Sequence, residues 1–106
     1  MAKFLVQGTY SAEGTQGLIK EGGSGRKAAV KSAIKGLGGK LESMYYTADA
    51  ADVIVICDMP DAISGLALTL AVNASGTVQV SLTELLTVEE VDAACKKTVK
   101  YRPVGE

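Results

Sequence analysis

Histidine is absent from this 106-residue chain, cysteine occurs twice, and aromatic residues make up only 5% of it. Without histidine the commonest general base, proton shuttle and metal ligand is missing. Cys57 and Cys95 stand far apart with no second pair, which excludes a zinc site. Both read as small apolar fillers in a reducing compartment. No metal and no cofactor is expected. The opening "MAKFLVQGTY" has one lysine and an apolar run too short for a secretory signal, so a cytoplasmic protein is expected. Apolar residues make up 47% of the chain. With so few aromatics, the core must be built from Ala, Val, Leu and Ile, and the length suits one domain spanning residues 1–106.

A net charge of -1 gives no pull toward nucleic acid or a membrane surface. Its distribution is uneven. Lys20 to Lys40 holds six basic residues and one acid, Glu21, whereas Leu41 to Cys95 holds nine acids and no Lys or Arg. Such asymmetry favours self-complementary contacts. From Ala62 to Thr83, 22 residues pass without a charge. Ile63, Leu66, Leu68, Leu70 and Val72 keep to no single stripe, and a helix apolar all round is buried all round. "NASGTVQVS" breaks this run well short of the roughly 20 residues a bilayer span needs. Burial against another copy is therefore expected, in a homodimer or higher homo-oligomer. Leu68→Asp should be the sensitive change, or Leu70→Asp if the stripe is rotated.

Periodicity orders the rest. "KFLVQGTY" (3–10) alternates, with Phe4, Val6, Gly8 and Tyr10 on one face and Leu5, Gln7 and Thr9 on the other. A glycine-loosened, weakly helical lead-in follows, then a firmer helix from Arg26 to about Leu37. "KLESMYYT" (40–47) and "DVIVIC" (52–57) read as a hairpin whose second strand, apolar on both faces, is central. Asp61 is placed to cap a helix ending near Ser75-Gly76. "TVQVSLTEL" is the fourth strand. Thr87 and Glu90 form a capping box for a last helix, with Leu86 and Val91 spaced as its staple. This order predicts an α+β fold: a ferredoxin-like βαββαβ antiparallel sheet with an extra C-terminal helix. Both main helices then cover one sheet face. The bare face carries Leu5, Gln7, Thr9, Gln79, Ser81 and Thr83, and two such faces together would make a dimeric α/β barrel with a partly polar cavity.

The segments "EGGSGR", "LGGKLESMYY", "DVIVICDMPD", "ALTLAVNASG" and "LLTVEEVD" resemble the GYD family of small bacterial proteins. The resemblance implies a dimeric α/β-barrel fold and self-association, and it supplies no reaction. Where that family carries Gly-x-Tyr-Asp, this chain has Asp49-Ala50-Ala51-Asp52, so Asp52 alone matches. Asp49 is expected to keep the turn, because Asp tolerates a left-handed conformation.

"GGSGR" is the one stretch that suggests a ligand. It is not a P-loop, since no Ser or Thr follows Lys27. Two readings are weighed: a hinge in which Arg26 pairs with an acid across an interface, which is favoured, and an anion site made by Arg26 with the amides of Ser24 and Gly25. Tyr45 and Tyr46 face opposite sides of their strand, and one of them is placed to line a cavity with Tyr10. The candidate ligand-binding set is Arg26, Ser24, Gly25, Tyr10 and Tyr46. Asp52, Asp58 and Asp61 read as solvated ends or caps rather than metal ligands. Three functional classes remain: a non-catalytic binding or structural module that takes a small anionic or partly apolar ligand in the barrel cavity, a cofactor-independent monooxygenase-like enzyme, and a PII-like signalling protein. The first is favoured.

Overall fold

Alternation along β1 (Ala2–Tyr10) sends Phe4, Val6 and Gly8 inward and leaves Gln7 and Thr9 exposed, as the sequence predicts. The computed structural model describes residues 1–106. The elements after β1 are α1 (Ala12–Gly36), β2 (Lys40–Tyr46), β3 (Val53–Met59), α2 (Ala62–Ala74), β4 (Val78–Leu85) and α3 (Val88–Cys95). The four strands form one antiparallel sheet in the order β2-β3-β1-β4. This is the ferredoxin-like arrangement with one additional C-terminal helix. β3 is a central strand, and its inward residues Val53, Val55, Cys57 and Met59 are all buried.

The first helix is longer than expected. It starts at Ala12, where Ser11 caps it by accepting from the Gly14 amide, and it is broken at Gly22 rather than beginning at Arg26. Gly22 has φ +78° and ψ 165°, a combination open essentially to glycine alone. At Gly14 the helix passes so close to the Thr77 carbonyl that a Cβ would overlap it. That approach lets the Ser11 N–H donate to Thr77 O at 3.0 Å.

Asp61 caps α2 by accepting from the Ser64 amide at 2.8 Å, and this bond holds its carboxyl below the ordinary carboxylate value. Near the end of α2, Asn73 binds the backbone of β4 twice: its Oδ1 accepts from Val80 N at 2.7 Å and its Nδ2 donates to Val80 O at 3.1 Å. These bonds occupy outward-facing groups of an edge strand that would otherwise need water. The capping box of α3 is formed by Thr87 and Glu90.

Between β2 and β3 the left-handed residue is Ala51, at φ +54°. Asp49 instead accepts a hydrogen bond from the Ala50 amide. The turn is thus kept by an alanine in a conformation glycine would adopt more readily, one position before Asp52.

α1 packs chiefly on β2 and α2 chiefly on β4, so a gap stays open between the helices above the middle of the sheet. Phe4, Val6, Ile34, Val53, Val55, Cys57, Met59, Leu68 and Val78 form the core beneath. The opposite face is bare: Leu5, Ile54 and Ile56 are half-buried, and Tyr45, Gln7, Thr9, Gln79, Ser81 and Thr83 are exposed. At one end of it Lys3 binds Glu42 at 2.7 Å and Asp58 at 3.0 Å, and these hydrogen bonds raise the lysine's pKa.

Two expectations change here. Within the chain α2 is buried on one side only: Leu68 is 8% exposed while Ile63, Leu66 and Leu70 are 80%, 51% and 61% exposed. Of the two leucines singled out above, Leu70 is the one the chain itself leaves uncovered. Cys57 is the buried filler expected, but Cys95 is exposed. No helix is long and apolar enough to cross a membrane.

Candidate functional site

The helix gap is lined by valines of the sheet, by Ala29, Val30 and Ala33 of α1, and by Leu68 and Val72 of α2, and encloses a cavity of about 100 Å³. Nearly every lining group is apolar. Its polar member, Arg26, stands at the end of the gap with Tyr10, and both also line a second, polar cleft of about 380 Å³ between α1 and the β4 end. Glu13, Gln16, Lys20, Glu21 and Thr77 are the other polar residues that line that cleft. Arg26 and Tyr10 thus stand where a dry compartment meets a wet one.

The break at Gly22 makes this possible. Arg26 Nη1 lies 3.5 Å from Glu21 Oε2, a pair five residues apart that an unbroken helix would turn away from each other. The acid opposite Arg26 is therefore in its own chain. The guanidinium is only partly satisfied, because its Nε is buried and has no hydrogen-bond partner. Buried donors are seldom left without an acceptor, which water, an ion or a ligand can supply.

Tyr10 and Tyr46 complete the site. Their hydroxyls are 3.1 Å apart and their rings stack with centroids 6.2 Å apart. Burial, and then the hydrogen bond to Tyr10, push the Tyr46 phenol far above its ordinary value, while the nearby Arg26 charge pulls the other way. The Tyr46 phenol thus keeps its proton and donates or accepts as a contact demands. Neither hydroxyl is arranged as a base.

Three of the five sequence candidates, Arg26, Tyr10 and Tyr46, therefore come together. Ser24 lines a neighbouring surface cleft with Gly23, Lys27, Met44 and Tyr46. Gly25 packs beside the stem of Glu21 and lines none of the three cavities. All of these sit on the helix-covered side of the sheet, not on the bare face that would line a barrel. Tyr45, the other candidate partner for Tyr10, projects from the bare face. Glu21 and the valine floor of the gap were not legible as site residues. Only the glycine cluster between Glu21 and Arg26 signals that the two approach.

Asp58 is taken by Lys3 and Asp61 by its cap. Asp52 sits at the start of β3, where its N–H donates to Thr47 Oγ1 and its Oδ1 is buried without a partner. No three His, Cys, Asp or Glu side chains converge. The Cys57 thiol is fully buried, and burial pushes its pKa up.

The class defined by this geometry is a ferredoxin-like α+β domain with one helix-covered and one bare sheet face. The chain belongs to the GYD domain family, whose sequence profile matches residues 4–95. No curated protein and no solved structure matches it.

Proposed function

We propose that the protein is a self-associating binding domain that holds a small amphipathic acid and performs no chemical step on it. One observation carries the reading: the buried, unpartnered Nε of Arg26 at the junction of a dry cavity and a polar cleft. A carboxylate or similar acceptor there satisfies the donor, and charge-assisted bonds of this kind are the strong ones. The apolar body enters the helix gap, which has room for roughly three or four methylene-sized groups. Tyr10 and Tyr46 flank the head, with Ser24 and Gly25 at the outer margin of the Gly22 break. Self-association draws support from the half-apolar bare sheet and from the uncovered side of α2, surfaces of a kind that soluble monomers seldom leave exposed.

A binding role is preferred to catalysis because the site pairs one arginine with two tyrosines and offers no nucleophile beside a base. The test is calorimetric titration with a series of short aliphatic monocarboxylates, alongside mass spectrometry of small molecules that co-purify with the protein. Arg26→Ala should abolish binding while leaving the circular dichroism spectrum unchanged. An Arg26→Ala protein that binds the same acids as tightly would refute the assignment.

A further inference from the structure

All of residues 86–106 are exposed, although residues 88–95 within them form a capped helix. A helix of 8 residues is too short to persist in water by itself, so it needs a surface to lie on. Its own domain offers one and is not used. The register pairs Lys3 with Leu85 and Ala2 with Met59, so the arm leaves the sheet at the end where α2 starts. Yet it turns away from the bare stripe of that helix.

Both surfaces are apolar. Val88, Val91 and Cys95 fall at i, i+3 and i+7, one side of α3, with Asp92 at the edge of that side and Glu89 and Glu90 on the other faces. Ile63, Leu66 and Leu70 fall at i, i+3 and i+7 on α2, inside a segment without charge. The chain exposes 7352 Å², against about 5,600 Å² for a folded monomer of its mass. That excess is roughly twice the ~800 Å² each partner gives up in an interface of standard size.

We infer that the C-terminal arm clasps a second copy of this chain, the Val88–Val91–Cys95 side of α3 seating on that copy's Ile63–Leu66–Leu70 stripe. A second copy is the fitting occupant because one two-fold arrangement covers both surfaces of both chains. The inference rests on the self-association proposed above and adds to it a second, separate contact. It also gives Cys95 the filler role that its exposure in the single chain denies it.

Cys95 reports on the contact in the native protein, since Cys57 is fully buried. At concentrations where light scattering shows an assembly, Cys95 should react with a thiol reagent at least tenfold more slowly than an exposed thiol. Dilution to monomer should restore the rate. Leu70→Asp, on an exposed position, should restore it without dilution while Cys57 stays unreactive, which shows that the fold has survived. Ile56→Lys, on the bare sheet, separates the two contacts. An assembly that Ile56→Lys splits but whose Cys95 reacts at the full exposed rate overturns the arm contact and leaves the sheet contact standing. A native protein that is monomeric throughout overturns both. Protection of Cys95 that Leu70→Asp leaves unchanged overturns the assignment to α2.

Discussion

Gly22 shows how much one backbone position decides. Its φ of +78° with ψ 165° lies where an L side chain is strained, and the break there brings Glu21 to Arg26. Gly22→Ala should therefore destabilise the domain by about 1–3 kcal/mol, the usual cost of such strain. Gly23 next to it is helical with open space around its Cβ position, so Gly23→Ala should stabilise by about 0.5–1 kcal/mol. Urea unfolding of the two variants checks the contrast, and equal effects would remove the special status of Gly22. Ala51 is the mirror case. It is held at φ +54°, and Ala51→Gly should raise stability by about 0.5–1 kcal/mol, read as a higher denaturation midpoint.

Tyr46 adds a pH signature at the same scale. Its folded pKa is raised, so the unfolded chain loses that proton first as pH rises, and the stability tied to the neutral phenol is complete below about pH 10. It is then lost as pH climbs through the folded value. In the folded protein, phenolate absorbance should include a late component above the range of a free tyrosine, and Tyr46→Phe should remove it. If the late component survives in Tyr46→Phe, the hydrogen-bonded pair is not its origin.

At the scale of elements, hydrophobic alternation made β1, β3 and β4 legible, down to which residues of β1 and β4 face the helices. β2 resisted for a physical reason. Its pairing with β3 shifts between Leu41 and Ser43, and an extra residue there turns every later side chain to the other face. Alternation alone therefore shows that Tyr45 and Tyr46 part company, but not which of them meets Tyr10. The helical lead-in looked weak because its glycines lower propensity, and the packing at Gly14 that requires one of them is a tertiary contact with Thr77. Asn73 is a third case. In the sequence it is one polar residue in an apolar helix, and only the fold shows that it binds both backbone groups of Val80. Asn73→Ala leaves these groups without that partner and should cost about 1–3 kcal/mol. Hydrogen exchange should report the loss most strongly at the Val80 amide, and an amide there that stays protected would show that β4 is held otherwise.

The whole molecule is more extended than its length requires: it measures 56 × 33 × 25 Å and its radius of gyration is 17.0 Å, against about 13 Å for a compact domain of this size. The uncharged run from Ala62 to Thr83 was legible as a segment needing cover. Which of its leucines the chain covers by itself was not, because the apolar residues surround the helix and leave its rotation undetermined. That rotation now separates two substitutions that look alike on paper. Leu68 is buried against the sheet, and Leu68→Asp places a charge in the core, at a cost of about 4 kcal/mol or more. This is a large part of the 5–15 kcal/mol that typically holds a domain together. Leu70 points away from its own core, so Leu70→Asp should leave each chain folded and act only on association. The check is thermal unfolding beside light scattering on both variants. Leu68→Asp should lose its cooperative transition, whereas Leu70→Asp should keep its fold and shift toward the 10.9 kDa monomer as it is diluted. A Leu70→Asp protein that unfolds as readily as Leu68→Asp would mean that the outer side of α2 is needed for folding itself, and that the chain does not reach this structure before it finds its partner.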